Sequence, residues 1–444
     1  MTRLKIQYLL LIGLAVMLAS CHSQNADKPL DPIAYWGENP WPEIRKKRIN
    51  ELLPAALKRA EVDAWLVICR ENNNDPIAKH VGGENAGGTA AFLFYNDAEG
   101  FHSLAISPAG ESTALDDLDI HDQVVSIERG KSAISQAIDF IKEIGFGKVA
   151  INSSGSNAMA DGLSYTQREQ INTLMGTEAN KLVSSTELIY EWLSIKLPEE
   201  VAILTKAAEL TSAWQIEAYE QVIPGVSTDA DIAKYLKAKM DEYGVGDGWN
   251  PDQNPNVNSG PDRGHSHATD KIIMPGDVIQ IDFGIKLYDM WVSDIQRFAY
   301  VLKDGETEAP DHIQNYWENA KAGSRAALAA MAPGVKGEDV DRAQRELMEA
   351  AGSRFVPWST GHPVGYVAHD VGPSLGGSQS TTPRPSAQKI LLEGMTFAFD
   401  GFHCWEREDG TEKTISVEEM AVVTKEGARY LTKPQEELIL ISSQ

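Results

Sequence analysis

Two stretches of this chain share one design. Gly276-Asp277-Val278-Ile279-Gln280-Ile281-Asp282 and Gly394-Met395-Thr396-Phe397-Ala398-Phe399-Asp400 each run from a glycine turn through an alternating strand to an aspartate. Each is followed by another strand bearing an acid, Val292-Ser293-Asp294-Ile295 and Ile415-Ser416-Val417-Glu418. The pattern reads as an internal duplication. Two such halves facing each other would bring four carboxylates from four strands into one centre. Aspartate inside an apolar strand is disfavoured by propensity and expensive to bury unpaired. Asp282 and Asp400 therefore need a partner, either an arginine, with Arg297 and Arg407 as candidates, or a metal ion. Taken singly, each fits a structural acceptor as well as a ligand. The histidines change the balance. His265 and His267 follow a glycine-rich loop, and Thr360-Gly361-His362-Pro363-Val364-Gly365 leads to His369-Asp370-Val371-Gly372. A lone histidine is usually a satisfied core or surface residue, but four of them before and between acid-bearing strands suit carboxylate-imidazole ligation of a cation.

The elements that must position these groups fall into two parts, as a chain of 444 residues leads one to expect. From Trp41 to about Leu193 helical and strand patterns alternate: a helix over Ile44 to Ala60, a buried strand over Ala64 to Cys69, and strands over Ala90 to Tyr95 and Leu104 to Ser107. An amphipathic helix over Ser132 to Ile144 and a short strand over Lys148 to Asn152 complete an α/β domain, assigned to residues 39–195. Leu197-Pro198-Glu199-Glu200 is a helix-start signal and opens the second domain, residues 196–444. Its first helices cover Val201 to Val222 and Asp229 to Tyr243. The Asn-, Pro- and Gly-rich stretch Trp249 to Gly264 predicts a long surface loop.

The net charge of −24 repels phosphate backbones and argues against a nucleic-acid partner. At the N-terminus, Arg3 and Lys5 precede an apolar stretch, Tyr8 to Ala19, that is too short to span a bilayer. Leu18-Ala19-Ser20-Cys21 closes it and resembles the bacterial lipobox. The resemblance implies removal of residues 1–20, a lipid on Cys21, and a polar tether over 21–38 that holds the protein to the membrane in the bacterial cell envelope. With His22 rather than aspartate after the cysteine, the periplasmic face of the outer membrane is the expected location. Cys69 and Cys404 are then left as packed thiols rather than a disulfide framework.

From Gly260 to Thr424 the order of these blocks resembles the pita-bread metallopeptidases, which include prolidase, Xaa-Pro aminopeptidase, methionine aminopeptidase and creatinase. The resemblance implies an α/β (α+β) architecture: a C-terminal pita-bread fold preceded by a smaller creatinase-like α/β domain. It implies that Asp282, Asp294, His362, Asp400 and Glu418 hold two divalent ions, manganese first, with zinc, cobalt or iron as alternatives. It makes His265, His369 and Asp400 catalytic and puts His267 and Arg297 on the substrate side. The implied activity is that of a metal-dependent exopeptidase of the Xaa-Pro aminopeptidase or prolidase type acting on peptides, with a homodimer as a possible assembly. Three residue patterns depart from the family. Asp400-Gly401-Phe402 stands where Glu-Pro-Gly is usual, Asp294 follows Asp282 by twelve residues where one fewer is usual, and Ser416 replaces an arginine. These departures keep two alternatives open: non-peptidase chemistry on the same fold, creatinase-like or lyase-like, and an inactive binding lipoprotein.

Overall fold

Apolar residues at alternate positions of Ala64–Arg70 (β1) divide between two faces, and each face is buried under its own set of helices. The computed structural model describes residues 36–264 and 266–443. The leader, Cys21, most of the tether and His265 lie outside the described residues. Strand β1 is central in a six-stranded sheet with Thr89–Asn96 (β2), Phe101–Pro108 (β3), Gln123–Ile127 (β4), Val149–Ile151 (β5) and Leu182–Ser184 (β6), in the order β4-β3-β2-β1-β5-β6. Trp65, Val67 and Cys69 face Trp41–Lys47 (α1), Leu53–Arg59 (α2) and Thr186–Leu193 (α5) through Leu53, Leu57, Leu188 and Trp192. Leu66 and Ile68 face Ala133–Ile144 (α3) and Tyr165–Met175 (α4) through Ile134, Ile138, Ile141 and Ile171. The period of two in the strand and of three to four in the helices makes this sandwich. A π-helical turn, Arg48–Leu52, joins α1 to α2 where one continuous helix is predicted.

The second part is built on Asn256–Ser259 (β8), Val278–Phe283 (β9), Ile295–Val301 (β12), Gly361–Pro363 (β13), Thr396–Glu406 (β14) and Glu412–Thr424 (β15), ordered β13-β14-β15-β12-β9-β8. A small sheet of Gly246–Asp247 (β7), Ile285–Leu287 (β10) and Trp291–Val292 (β11) stands beside it. Helices Pro198–Glu220 (α6) and Asp229–Tyr243 (α7) cover β9 and β12 with Trp214, Ile232 and Leu236. Helix Asp311–Ala330 (α8) covers β14 and β15, with Gly337–Ala350 (α9) packed beside it. Each half is thus strands backed by a helix pair, and the halves meet at β12 and β15, where Gln296 lies opposite Glu418. Helix α8 crosses β14 so closely at Gly401 that a Cβ there would stand 1.9 Å from the Ala320 carbonyl oxygen and 2.1 Å from the Ser324 nitrogen.

Two expectations are corrected. The stretch Trp249 to Gly264 is not a surface loop throughout: residues 254–260 are buried and Asn256–Ser259 is the edge strand β8. Its polar asparagines hid it from the apolar pattern: Asn254 and Asn256 are spent on hydrogen bonds to Gly284 and Gly264, and Asn258 lines a cavity. Asp294 is not inside a strand but in the short link between β11 and β12. Cys69 and Cys404 are buried free thiols. Among the described residues, no helix is long and apolar enough to cross a membrane.

The first sheet also encloses a polar network. The Asn152 side chain donates to Asp75 Oδ1 at 2.9 Å, and its own oxygen accepts from Trp65 Nε1 and Ser185 Oγ at 2.8 Å each. Burial pushes the Asp75 carboxyl up to about 6, against the hydrogen bonds from Ile77 N–H and Asn152 that favour its charge. The native chain therefore keeps a proton that the unfolded chain gives up near pH 4, so this carboxyl lowers stability as pH rises through about 4 to 6 and its cost is complete above that. Asp75→Asn should match wild type near pH 4 and exceed it by roughly 2–3 kcal/mol at pH 7.5, read by urea melts at both pH values. An equal difference at the two pH values would show that Asp75 does not titrate in this way.

Candidate metal centre

Sheet register sets one row of side chains across five strands. Asn256 on β8 faces Asp282 on β9, Asp282 faces Gln296 on β12, Gln296 faces Glu418 on β15, and Glu418 faces Asp400 on β14. Directly opposed residues project to the same side of a sheet, about 5 Å from their neighbours. Asp282, Asp400 and Glu418 therefore crowd together, and all three are buried, as is Asp294. Asp294 arrives from the β11–β12 link, its amide against the Met420 sulfur at 3.3 Å. His362 comes from the edge strand β13, opposite Ala398.

His362 Nε2 stands 3.7 Å from both Asp294 Oδ2 and Glu418 Oε1. One ligand atom from each of these three residues lies within 4.8 Å of the others. His362 Nδ1 lies 3.1 Å from the Pro363 carbonyl oxygen. A carbonyl can only accept, so Nδ1 is the donor there and Nε2 is the nitrogen turned toward the acids. His369 packs its ring perpendicular to that of His362, centroids 4.2 Å apart, and opens onto the cavity.

The acids are held against their ordinary chemistry. Burial first, then the charges of Glu418, Asp282 and Asp400, push the Asp294 carboxyl well above the usual carboxylate range. Burial and Glu418 do the same to Asp400, with the Ser416 hydroxyl working the other way. Asp400 Oδ1 and Glu418 Oε2 are buried without a hydrogen-bond partner. The arginine alternative fails on geometry. Arg297 pairs with Glu419 at 2.9 Å and donates to the Gln296 and Glu418 carbonyl oxygens, and Arg407 lies beside Asp409. A cluster of this charge, with bare carboxylate oxygens and one imidazole lone pair, fits a divalent cation.

Gln296, Glu418 and Asp400 of this row, with His362, line a cavity of about 600 Å³ whose wall also includes Gln280, Trp358, His369, Arg384 and Ser416. Two residues placed on the substrate side stand elsewhere. Arg297 is buried and committed to Glu419, and His267 is exposed and does not line the cavity. His265 lies outside the described residues. Gln296 and Arg384 were missed from sequence. Register reveals Gln296 once β12 is placed between the two acid-bearing halves; Arg384 sits in Thr382-Pro383-Arg384-Pro385, which carries no chemical signature.

Comparison with known proteins agrees with this geometry. Residues 202–425 match the profile of Metallopeptidase family M24. The chain is 26% identical over 282 residues to the Xaa-Pro dipeptidase of Pyrococcus furiosus, covering 62% of this chain and 73% of that protein. The fold superimposes on the X-Pro aminopeptidase of Thermotoga maritima with a TM-score of 0.65 at 21% identity, over 87% of this chain and 100% of that one. It superimposes on the Xaa-Pro dipeptidase of Bacillus anthracis with a TM-score of 0.64 at 19% identity, over 90% and 100%.

His362 and His369 lie on one hairpin, closed by the antiparallel bridge between Gly361 and Leu375, and should separate by experiment. His362→Ala should lower bound metal and reduce the melting-temperature gain on adding Mn2+, whereas His369→Ala should keep both. Metal analysis after dialysis, beside thermal melts, reads the difference; equal metal loss in the two variants would remove the distinction.

Proposed function

Because the chain belongs to metallopeptidase family M24, we propose that it is a metal-dependent exopeptidase that cleaves short peptides at a bond to proline. The observation that carries this reading is the row Asp282, Glu418 and Asp400, joined by Asp294 and His362, of which Glu418, Asp400 and His362 line a cavity of about 600 Å³. These five residues would hold two divalent ions, with manganese favoured by the predominance of carboxylate oxygens. Such ions, when bound, supply an activated water and a Lewis acid toward a carbonyl oxygen.

The chain's own groups do the rest. His369, exposed to the cavity beside His362, is placed to donate a hydrogen bond to the scissile carbonyl oxygen or to carry a proton to the departing imide nitrogen. Arg384 is the one Lys or Arg among the lining residues described, and its guanidinium donates only to Ser359 Oγ at 3.1 Å. It suits a peptide's terminal carboxylate and so favours dipeptides over longer substrates. Asp400 is one methylene shorter than glutamate, and its unpartnered Oδ1 is the atom that would reach a cation.

The direct test is proline release from Xaa-Pro dipeptides by the Mn2+-loaded protein, beside Xaa-Pro-Xaa tripeptides. Arg384→Ala should raise KM for dipeptides about tenfold or more, the loss of one charge-assisted hydrogen bond, and leave tripeptides less affected. Metal-loaded protein that binds Mn2+ and releases no proline would defeat the peptidase reading and favour other chemistry on this fold.

The same proposal places the enzyme in the cell envelope through a lipid on Cys21, supported by the lipobox-like tetrad. Cells fed a labelled fatty acid should label the wild-type protein and not Cys21→Ser. Absence of label from both would overturn the anchor.

A further inference from the structure

Beneath the hairpin that carries His362 and His369 lies a buried polar network that the metal ligands do not use. Its cations are Arg48, from the π turn between α1 and α2, and Lys196, from the link between α5 and α6. Its carboxylates are Glu200 on α6 and Asp370, the residue after His369. The Arg48 guanidinium lies 2.7 Å from Glu200, and both side chains are almost wholly inaccessible. Glu200 also accepts from Tyr366 Oη at 2.6 Å, Trp291 Nε1 at 3.2 Å and the Leu197 amide at 2.9 Å. Lys196 Nζ lies 3.1 Å from Asp370 Oδ2, donates to the Leu193 carbonyl oxygen at 2.6 Å, and stands 4.7 Å from the centre of the Tyr366 ring.

The contacts of Asp370 on the hairpin side close the loop that contains His369. Asp370 N–H donates to the Pro363 carbonyl oxygen at 2.9 Å, and that same oxygen accepts from His362 Nδ1. The Asp370 carboxylate accepts from the Tyr366 and Val371 amides at 2.9 and 2.8 Å. Gly365 leaves the space that Lys196 fills, since a Cβ there would stand 2.3 Å from Lys196 Cε and 2.7 Å from Asp370 Oδ2. Gly365 in turn accepts through its carbonyl from Val292 N–H at 2.6 Å, two residues before Asp294. Four buried charges are a poor way to gain stability, because apolar residues of similar volume would serve as well. They are a good way to fix one arrangement.

We propose that Lys196 is a positioning residue for this hairpin: paired with Asp370, and linked through Tyr366 and Glu200 to Arg48, it holds His369 beside His362. By this route the N-terminal layer governs the competence of a site to which, among the described residues, it contributes no ligand. The effect on turnover rests on the peptidase reading; the effect on the hairpin does not.

The test compares Lys196→Met, the double variant Lys196→Met/Asp370→Asn and wild type, all as the full chain with Mn2+. Lys196→Met should lower kcat about tenfold at saturating metal with KM within about twofold, weaken Mn2+ binding about tenfold by calorimetry, and speed amide exchange over residues 363–371. The double variant, which leaves no uncompensated buried charge, should recover melting temperature but not kcat. Recovery of kcat together with melting temperature would reduce Lys196 to a structural charge and overturn the proposal. So would unchanged hairpin exchange in Lys196→Met. If that variant does not fold, Tyr366→Phe removes one hydroxyl from the network and carries the same test at smaller amplitude. A wild-type chain inert on Xaa-Pro peptides would defeat the peptidase reading alone, and hairpin exchange and Mn2+ affinity would then decide this one by the same criteria.

Discussion

Negative charge concentrated on one buried sheet face is the constraint around which this protein is arranged. Glu418 and Asp400 project side by side from neighbouring strands, Asp282 joins them across Gln296 of β12, and Asp294 reaches in from a link. Such a cluster cannot be stabilised by solvent, because its members are buried. It cannot be stabilised by the nearest arginine either, because Arg297 is committed to Glu419 on the opposite side of the strand. What remains is a proton shared among the acids or a cation held between them, and the upward push on the Asp294 and Asp400 carboxyls registers that demand. The surrounding structure keeps the strands from parting under this repulsion. Helices α6 and α8 back the two halves, β14 and β15 pair over Thr396–Glu406, and the Asp400 amide is tied to the Thr360 carbonyl oxygen at 2.7 Å.

Much of this was legible in the sequence because the governing patterns are local. Alternation in Val278–Phe283 and Thr396–Glu406 gives strands, and an aspartate out of phase with Ile279, Ile281 and Phe283, or with Phe397 and Phe399, must lie on the face turned away from that core. The repeated Gly-to-Asp segment thus gave both the duplication and two of the acids. What escaped was whatever depends on register or on a distant partner. Gln296 faces the centre only because β12 lies between β9 and β15. Arg297, its neighbour, faces away for the same reason, so a residue expected at the substrate became part of the backing. The strand Asn256–Ser259 escaped because asparagines spent on backbone hydrogen bonds or lining a cavity imitate a loop in composition.

The two halves are alike in design but not in support. The first half is backed by α6 and α7, and both halves share a core with the N-terminal part, where Trp41 packs edge-on against Trp291 of the first half and Tyr366 of the second. The second half carries the edge strand β13 and the histidine hairpin, whose attachments run back to the link between the layers. Asp282, Glu418, Asp400 and His362 are therefore placed by the sheet, whereas His369 is placed by the seam between the two parts of the chain. A change in how the layers sit would reach His369 before it reached the acids.

The crossing of α8 over Gly401 has a consequence for how this site can vary over generations. With a carbonyl oxygen and an amide nitrogen less than 2.2 Å from where a Cβ would stand, the backbone beside Asp400 has no room to retreat. Any lengthening of the acid at position 400 must project forward, into the cavity, and be absorbed by the cation and substrate side. The lineage could thus exchange reach for space at this position by altering one side chain, but it could not relocate the strand. Position 401 is closed to any side chain larger than hydrogen while the helix keeps its seat.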